Sequence, residues 1–337
     1  MAVTIKDIAK RAGVSFSTVS RALNGAKCVN EQKREEICRL AREMGYVPNP
    51  AAVQLKKSRS GIIGLYVENM DHISSPHSLY AGIQTVYSVL GKEYSAVVKA
   101  INDHIPGSLN GALYDGILTF EMKTPQYAFW DEARSKGIPL VIANQHVRYD
   151  APMVVLDQED AVYHAMCYLL DKGHRRISIL EGASELTETR LRHAGWVRAV
   201  REYGLEPADF PIYNGQYDYY QTTLVIPEIL EQKPSAILAF NDHMASAAIN
   251  YARHFGYKVP EDISVIGFDN WNFNASEPIG LTTYDRRIDA VATKCMELLR
   301  EMIQGKDISS ETHYIKATLV ERGSVTEYGG AYDRTTP

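Results

Sequence analysis

Much of what a chain of 337 residues could carry is missing here. There are four cysteines, Cys28, Cys38, Cys167 and Cys295, with no Cys-x-x-Cys pair and no metal-ligand spacing. A disulfide scaffold or zinc module is therefore excluded, and buried thiols are expected. No apolar run approaches the roughly 20 residues of a membrane span. The first residues, Met-Ala-Val-Thr-Ile-Lys-Asp, lack a signal-peptide pattern. A cytoplasmic protein without membrane contact is expected. Catalytic signatures are also absent: no HExxH, no P-loop, no GxGxxG. Gly182-Ala-Ser-Glu-Leu lacks the second glycine of a nucleophile elbow, and the 10 histidines are scattered without ligand spacing. No cofactor, no metal and no catalytic residue is expected.

What is present is unevenly distributed. The net charge of −5 argues at first against nucleic acid. Yet residues 1–60 hold 12 Lys and Arg against 5 Asp and Glu, leaving 24 against 36 in the remainder. A basic head on an acidic body is the asymmetry of a nucleic-acid module joined to something else.

The head has its own pattern. Thr4 to Ala12 reads as a short helix with Ile5, Ile8, Ala9 and Ala12 on one face, Thr4 as its cap and Asp7 near its positive end. Gly13-Val14 is a tight turn. In the next helix Val19, Ala22 and Leu23 share a buried face, while Phe16, Ser17, Ser20 and Arg21 project outward. Ser15 is its N-cap and Asn24-Gly25 its stop. Hydroxyls, an aromatic ring and an arginine suit a major-groove surface. Helix, glycine turn, helix is the helix-turn-helix plan, with an ordinary helical hairpin as the alternative. Asn30 to Met44 forms a third helix, capped by Asn30, with Ile37, Leu40, Ala41 and Met44 buried. Val47-Pro48-Asn49-Pro50 breaks the chain into a linker, and Ala51 to Lys57 is a helix-competent run too short to be stable alone.

Three blocks in this stretch, Thr4-Ile-Lys-Asp-Ile-Ala-Lys-Arg-Ala-Gly-Val-Ser, Thr18-Val-Ser-Arg-Ala-Leu-Asn-Gly and Gly45-Tyr-Val-Pro-Asn-Pro, resemble the N-terminus of the LacI/GalR family of bacterial transcription regulators. The resemblance implies a sequence-specific DNA-binding regulator, a repressor of carbohydrate-utilisation genes, acting as a homodimer or tetramer on pseudo-palindromic double-stranded operator DNA. It implies DNA contacts from Thr4, Ser15, Phe16, Ser17, Thr18, Ser20, Arg21, Asn24, Asn30 and Tyr46. It also implies a hinge helix that orders on the minor groove, where Leu55 wedges a base step, Ala52 faces its mate and Lys56 meets phosphate. A plain linker is the alternative for that hinge. A corepressor-dependent or phosphoprotein-partnered regulator, or an activator, fits the head equally. A sugar-processing α/β enzyme with a fused head is the rival class.

From Ile62 onward strand-like runs at 62–67, 96–100, 116–120, 139–143, 176–180, 236–240 and 263–268 alternate with helical ones, notably at 79–90, 160–171, 192–203, 244–255 and 288–304. Such alternation predicts an α/β fold of parallel sheets covered on both faces, and two sheets over this length. The resemblance adds a two-lobed, periplasmic-binding-protein-like core behind the small all-α head. The expected domains are a head at 1–46, a linker with hinge helix at 47–60, and a core at 61–330. Lobe 1 takes about 61–156 plus 286–313, and lobe 2 about 157–285 plus 314–330. Between the second and third core strands, residues 101–113 with Pro106 and Gly107 are shorter than the family's loop and helix.

Strand ends in open α/β sheets place ligands. Arg192, Asn241 and Asp269 match the polar trio that binds a small carbohydrate effector in similar proteins. Tyr217 falls where a stacking aromatic lies, and Asn144 and Leu156 would close the pocket. A structural role is the alternative: Asp269 capping a helix, Asn241 holding a turn. His72, His77 and Tyr80 read as solvated loop residues.

Overall fold

A computed structural model describes residues 3–23, 29–46, 59–70, 76–120, 122, 124–271 and 280–329 of the chain. It divides into two compact units, 1–60 and 61–337.

The first unit contains α1 (Ile5–Ala12), α2 (Phe16–Leu23) and α3 (Glu31–Glu43). Each begins and ends where local chemistry dictates. Asp7 reaches back to the Thr4 amide at 2.9 Å and its hydroxyl at 2.7 Å, and these bonds hold the Asp7 carboxyl below its ordinary value. Gly13, at φ 64°, takes the left-handed conformation that closes α1. Ser15 Oγ accepts the Thr18 amide at 3.1 Å, and Asn30 Oδ1 accepts the Gln32 amide at 3.0 Å. Ile8, Val19 and Ile37, each 0% exposed, meet where the three helices converge.

The second unit carries two six-stranded sheets. The first is built from β1 (Ile62–Val67), β2 (Ser95–Ala100), β3 (Gly116–Thr119), β4 (Leu140–Ala143), β5 (Met153–Leu156) and β11 (Thr312–Ile315), in the order β11-β5-β4-β3-β1-β2. The second is built from β6 (Ile177–Glu181), β7 (Ile212–Asn214), β8 (Ala236–Ala239), β9 (Ser264–Asp269), β10 (Thr282–Asp285) and β12 (Thr318–Val320), in the order β12-β10-β9-β8-β6-β7. Every pairing is parallel except β10 with β12. Parallel strands need crossovers, and helices supply most of them. These are α4 (Pro76–Leu90), α5 (Tyr127–Ser135), α6 (Gln158–Asp171), α7 (Thr187–Glu202), α8 (Tyr219–Glu231), α9 (Asp242–His254) and α10 (Ile288–Ile303). Their apolar faces and the continuously buried strands, such as β3, β4 and β8, make two cores on the first sheet and one continuous core around the second. Among the described residues no helix is long and apolar enough to cross a membrane.

The chain passes between the sheets three times, after β5, after β10 and after β11. Residues 314 and 315 still pair with β5, so the last passage falls at 316–317, slightly beyond the expected 313. The short 101–113 segment contains no helix. It is a turn-built crossover from β2 to β3, and Leu109 and Tyr114 plug the sheet face beside Phe129 and Trp130. Glu132 on α5 holds it, accepting from His104 Nε2 at 2.9 Å and the amides of Gly107 at 2.9 Å and Leu109 at 2.7 Å.

Candidate nucleic-acid interface and effector site

Recognition through α2 requires its buried stripe to leave a contiguous outer face. Phe16 is 54% exposed, with Ser17 and Arg21 exposed beside it. Ser15, Ser17 and Thr18 share hydroxyl contacts of 2.8 Å at the start of the helix. Ser20 departs from the outward placement expected of it: it is only 8% exposed. The helix touches both α1 and α3, so its covered stripe is wider than the 19–22–23 face. Thr4 is engaged in the α1 cap, Asn30 caps α3, and Tyr46 packs against the head core. Asn24 and the hinge residues Ala52, Leu55 and Lys56 lie outside the described residues.

In the core, four of the expected residues converge at the carboxyl ends of β6, β8 and β9. Arg192 on α7 is 4% exposed. Its Nε donates to Gln158 Oε1 at 2.8 Å, its Nη1 to the Phe240 carbonyl, and its guanidinium lies 4.0 Å over the Phe268 ring and 5.6 Å from the Tyr217 ring. A buried arginine is tolerated because carbonyls and ring faces replace its hydration. Asn241 is the N-cap of α9: Oδ1 accepts the Met244 amide at 2.8 Å, while Nδ2 donates to the Tyr217 carbonyl at 3.2 Å. The turn-holding role considered for Asn241 is therefore real, and it leaves the side chain beside Tyr217. The Tyr217 ring lies flat on Gly182, where any Cβ would fall 1.9 Å from it. Its hydroxyl meets Thr189 Oγ1 at 2.9 Å, and burial pushes its acidity down.

Asp269 ends β9 at φ 117°, followed by Asn270 at φ 55°. Two successive non-glycine residues with positive φ mark a strained turn. Asp269 Oδ1 is 3.7 Å from Arg286 Nη1, which in turn donates to Ser78 Oγ in the first turn of α4 at 3.1 Å. Ser78 belongs to the first lobe and Asp269 to the second, so the two lobes touch here. Arg286 and Gln158 were missed by sequence reasoning; Arg286 follows a strand end, the same signal that located the others.

The two closing residues behave differently. Asn144, at φ 54°, accepts the Leu156 amide on Oδ1 at 3.3 Å, and its buried Nδ2 has no acceptor among the described residues. Leu156 is 0% exposed and packs in the second lobe's core beside α6, as every residue of β5 is buried. His72 lies outside the described residues, and Tyr80 is exposed, its hydroxyl accepting Gln84 Nε2 at 2.7 Å.

Residues 4–49 match the family described as bacterial regulatory proteins, lacI family, and residues 166–325 match a periplasmic binding protein-like domain. The chain is 30% identical over 328 residues to the probable HTH-type transcriptional repressor ExuR of Bacillus subtilis (strain 168), covering 96% of this chain and 98% of that protein. It is also 30% identical over 332 residues to the HTH-type transcriptional repressor CytR of Escherichia coli (strain K12), covering 96% of each. Among solved structures, the lac repressor dimer bound to operator and the anti-inducer ONPF aligns with a TM-score of 0.75 at 24% identity, over 97% of this chain and 100% of that one. The complex of the transcriptional regulator CelR with cellobiose aligns at 0.68 and 24% identity, over 96% and 99%. Head and core are both spanned by these likenesses.

Proposed function

Since the chain belongs to the LacI family of bacterial regulatory proteins, we propose that its head reads one half of a pseudo-palindromic operator while its core binds a small carbohydrate that alters operator affinity. Phe16 and Ser17 select bases at the exposed start of α2, and Arg21 supports them through a base or phosphate. One head covers too few base pairs for specificity, so two copies act together as a homodimer. The carbohydrate is held by Arg192, Asn241 and Asp269, with Tyr217 against its apolar face and Asn144 reaching it from the first lobe. Planar polar groups fork onto vicinal hydroxyls, and a ring covers the C–H face. The protein binds this molecule without turning it over, and it works in the cytoplasm, where operator DNA is found.

The observation that carries the effector reading is the convergence of Arg192, Tyr217, Asn241 and Asp269 at three adjacent strand ends. Thermal stabilisation across mono- and disaccharides, sugar acids, sugar phosphates and nucleosides tests it. A true effector at 100 times its dissociation constant adds about 2.7 kcal/mol. The same compound must then change operator affinity in a gel-shift titration. Stabilisation by none of the panel overturns the carbohydrate reading.

A further inference from the structure

The strained turn at residues 269–271 needs something to hold it, and one buried carboxyl is in place to do so. Asp242 opens α9 and is 1% exposed. Its Oδ2 accepts the Trp271 amide at 2.7 Å, and its Oδ1 meets Thr283 Oγ1 at 2.6 Å. Thr283 on β10 accepts the Asn270 amide at 3.4 Å. Asp242 therefore grips both residues that follow Asp269, one directly and one through Thr283. Gly267 on β9 makes room for this carboxyl, since a Cβ there would sit 2.2 Å from Oδ1. The turn after β9, the start of β10 and the start of α9 are joined at a single buried group.

We propose that Asp242 is the positioning residue of the effector site: its buried carboxyl group holds the 269–271 turn and so aims Asp269 at the ligand. Its surroundings favour the protonated form. A carboxylate wholly removed from water beside a second carboxylate, Asp269, is driven to keep its proton, and burial with that neighbour pushes Asp242 up to about 8. The donors Thr283 and Trp271 and the more distant Arg322 oppose the shift without reversing it. Asp242 accepts the Trp271 amide on Oδ2 and the Thr283 hydroxyl on Oδ1. Both bonds need an acceptor oxygen, and a carboxamide of the same shape keeps only one of them. The role of Asp269 rests on the effector reading above; the clamp itself does not.

The full-length protein is compared with Asp242→Asn, Asp242→Ala and Thr283→Val at pH 7. Two readouts are taken: hydrogen-exchange protection of the Trp271 amide without ligand, and affinity for whichever of ribose, cellobiose, glucuronate or a nucleoside stabilises the wild type. Asp242→Asn, which keeps one acceptor oxygen for the turn, is expected to lose less than Asp242→Ala in both Trp271 protection and ligand affinity. Asp242→Ala is expected to lose at least tenfold in both, with operator affinity unchanged. Thr283→Val, which removes the two bonds made through Thr283 Oγ1 without opening a cavity at Asp242, guards against misfolding and should lose an intermediate amount. If Asp242→Asn falls as far as Asp242→Ala, or if Trp271 protection survives in both Asp242→Ala and Thr283→Val, the proposal is overturned. If protection falls but ligand affinity holds, the turn does not aim Asp269 and the proposal is overturned as well. If no compound binds the wild type, the carbohydrate reading fails, and Trp271 exchange alone decides whether the clamp exists.

Discussion

Arg192 is a charged side chain with almost no water left around it, held by Gln158, the Phe240 carbonyl and two ring faces. Charged groups make the stronger hydrogen bonds, each about 1.5–3 kcal/mol, so Arg192→Ala or Asp269→Ala should weaken effector binding roughly 10- to 100-fold. Neither residue lies in the basic head, so operator affinity without effector should hold. Loss of operator binding in a correctly folded Asp269→Ala protein would contradict this division of labour. Asp242 gives a separate expectation. Its folded-state value of about 8 lies above the ordinary carboxyl, chiefly through burial. Its contribution is thus complete below about pH 4, shrinks as pH rises, and is gone above about 8. Urea titrations of the wild type and Asp242→Asn across that range should differ in slope, with the variant flatter; parallel curves would show that Asp242 does not titrate there. On the head, exchanging Phe16 and Ser17 should change the consensus of selected operator sites, and an unchanged consensus would place base reading elsewhere. Most of these residues were legible because each follows a strand end or faces out of a helix. Ser20 was not: the contacts of α2 with both α1 and α3 widen its covered stripe beyond the period of its own apolar residues.

The elements were read best where apolar periodicity is long and worst where strands are three or four residues long. β1, α6, α9 and α10 fall within a few residues of expectation. β5, β7, β10, β11 and β12 were missed: each is only three or four residues long, and in β7, β11 and β12 burial is mixed as well, as in Ile212–Asn214. α8 was missed because Tyr219-Tyr-Gln-Thr-Thr favours strand and Pro227 stands inside the helix; packing overrides both preferences. The 101–113 crossover shows the opposite case, a segment whose shortness was visible but whose anchor was not. Burial would raise the Glu132 carboxyl, yet bonds from His104, Gly107 and Leu109 override it and hold the group at about 2. Because the folded value lies below the unfolded one, the stabilisation is complete above about pH 4.5 and is lost as pH falls toward 2. Glu132→Ala should cost about 1–3 kcal/mol at pH 7 by leaving those donors unmatched. Equal stability of variant and wild type at neutral pH would show that the loop holds itself. In the hinge, Leu55→Ala should lower operator affinity and spare effector binding; effector binding lost with it would refute the wedge role.

At the scale of the whole molecule the excess of Lys and Arg within residues 1–60 and of Asp and Glu beyond them separates two kinds of partner. A cationic head gains from counterion release on DNA, and an anionic body is repelled by it, which confines contact to the head. Operator affinity should therefore fall steeply with salt, and loss of Lys56 should reduce the slope by about 1 for all sequences together. Effector and operator affinity must also be linked reciprocally: whatever factor the carbohydrate imposes on DNA binding, DNA imposes on carbohydrate binding. The two-sheet architecture was legible from alternation alone, whereas the membership of β11 and β12 was not, because edge strands are assigned by pairing rather than by pattern.

The route of the chain through its two sheets also sets a schedule for its birth. The first sheet begins with β1 at Ile62 but receives α10 and β11 only at Ile288–Ile315. Until those residues emerge from the ribosome, the face that Val291, Ala292, Cys295 and Leu299 will cover stays open on a chain whose second sheet is already nearly whole. The lobe that starts first thus finishes late, and the nascent protein exposes a wide apolar surface through most of its synthesis. A chain cut short before residue 288 would carry that surface permanently.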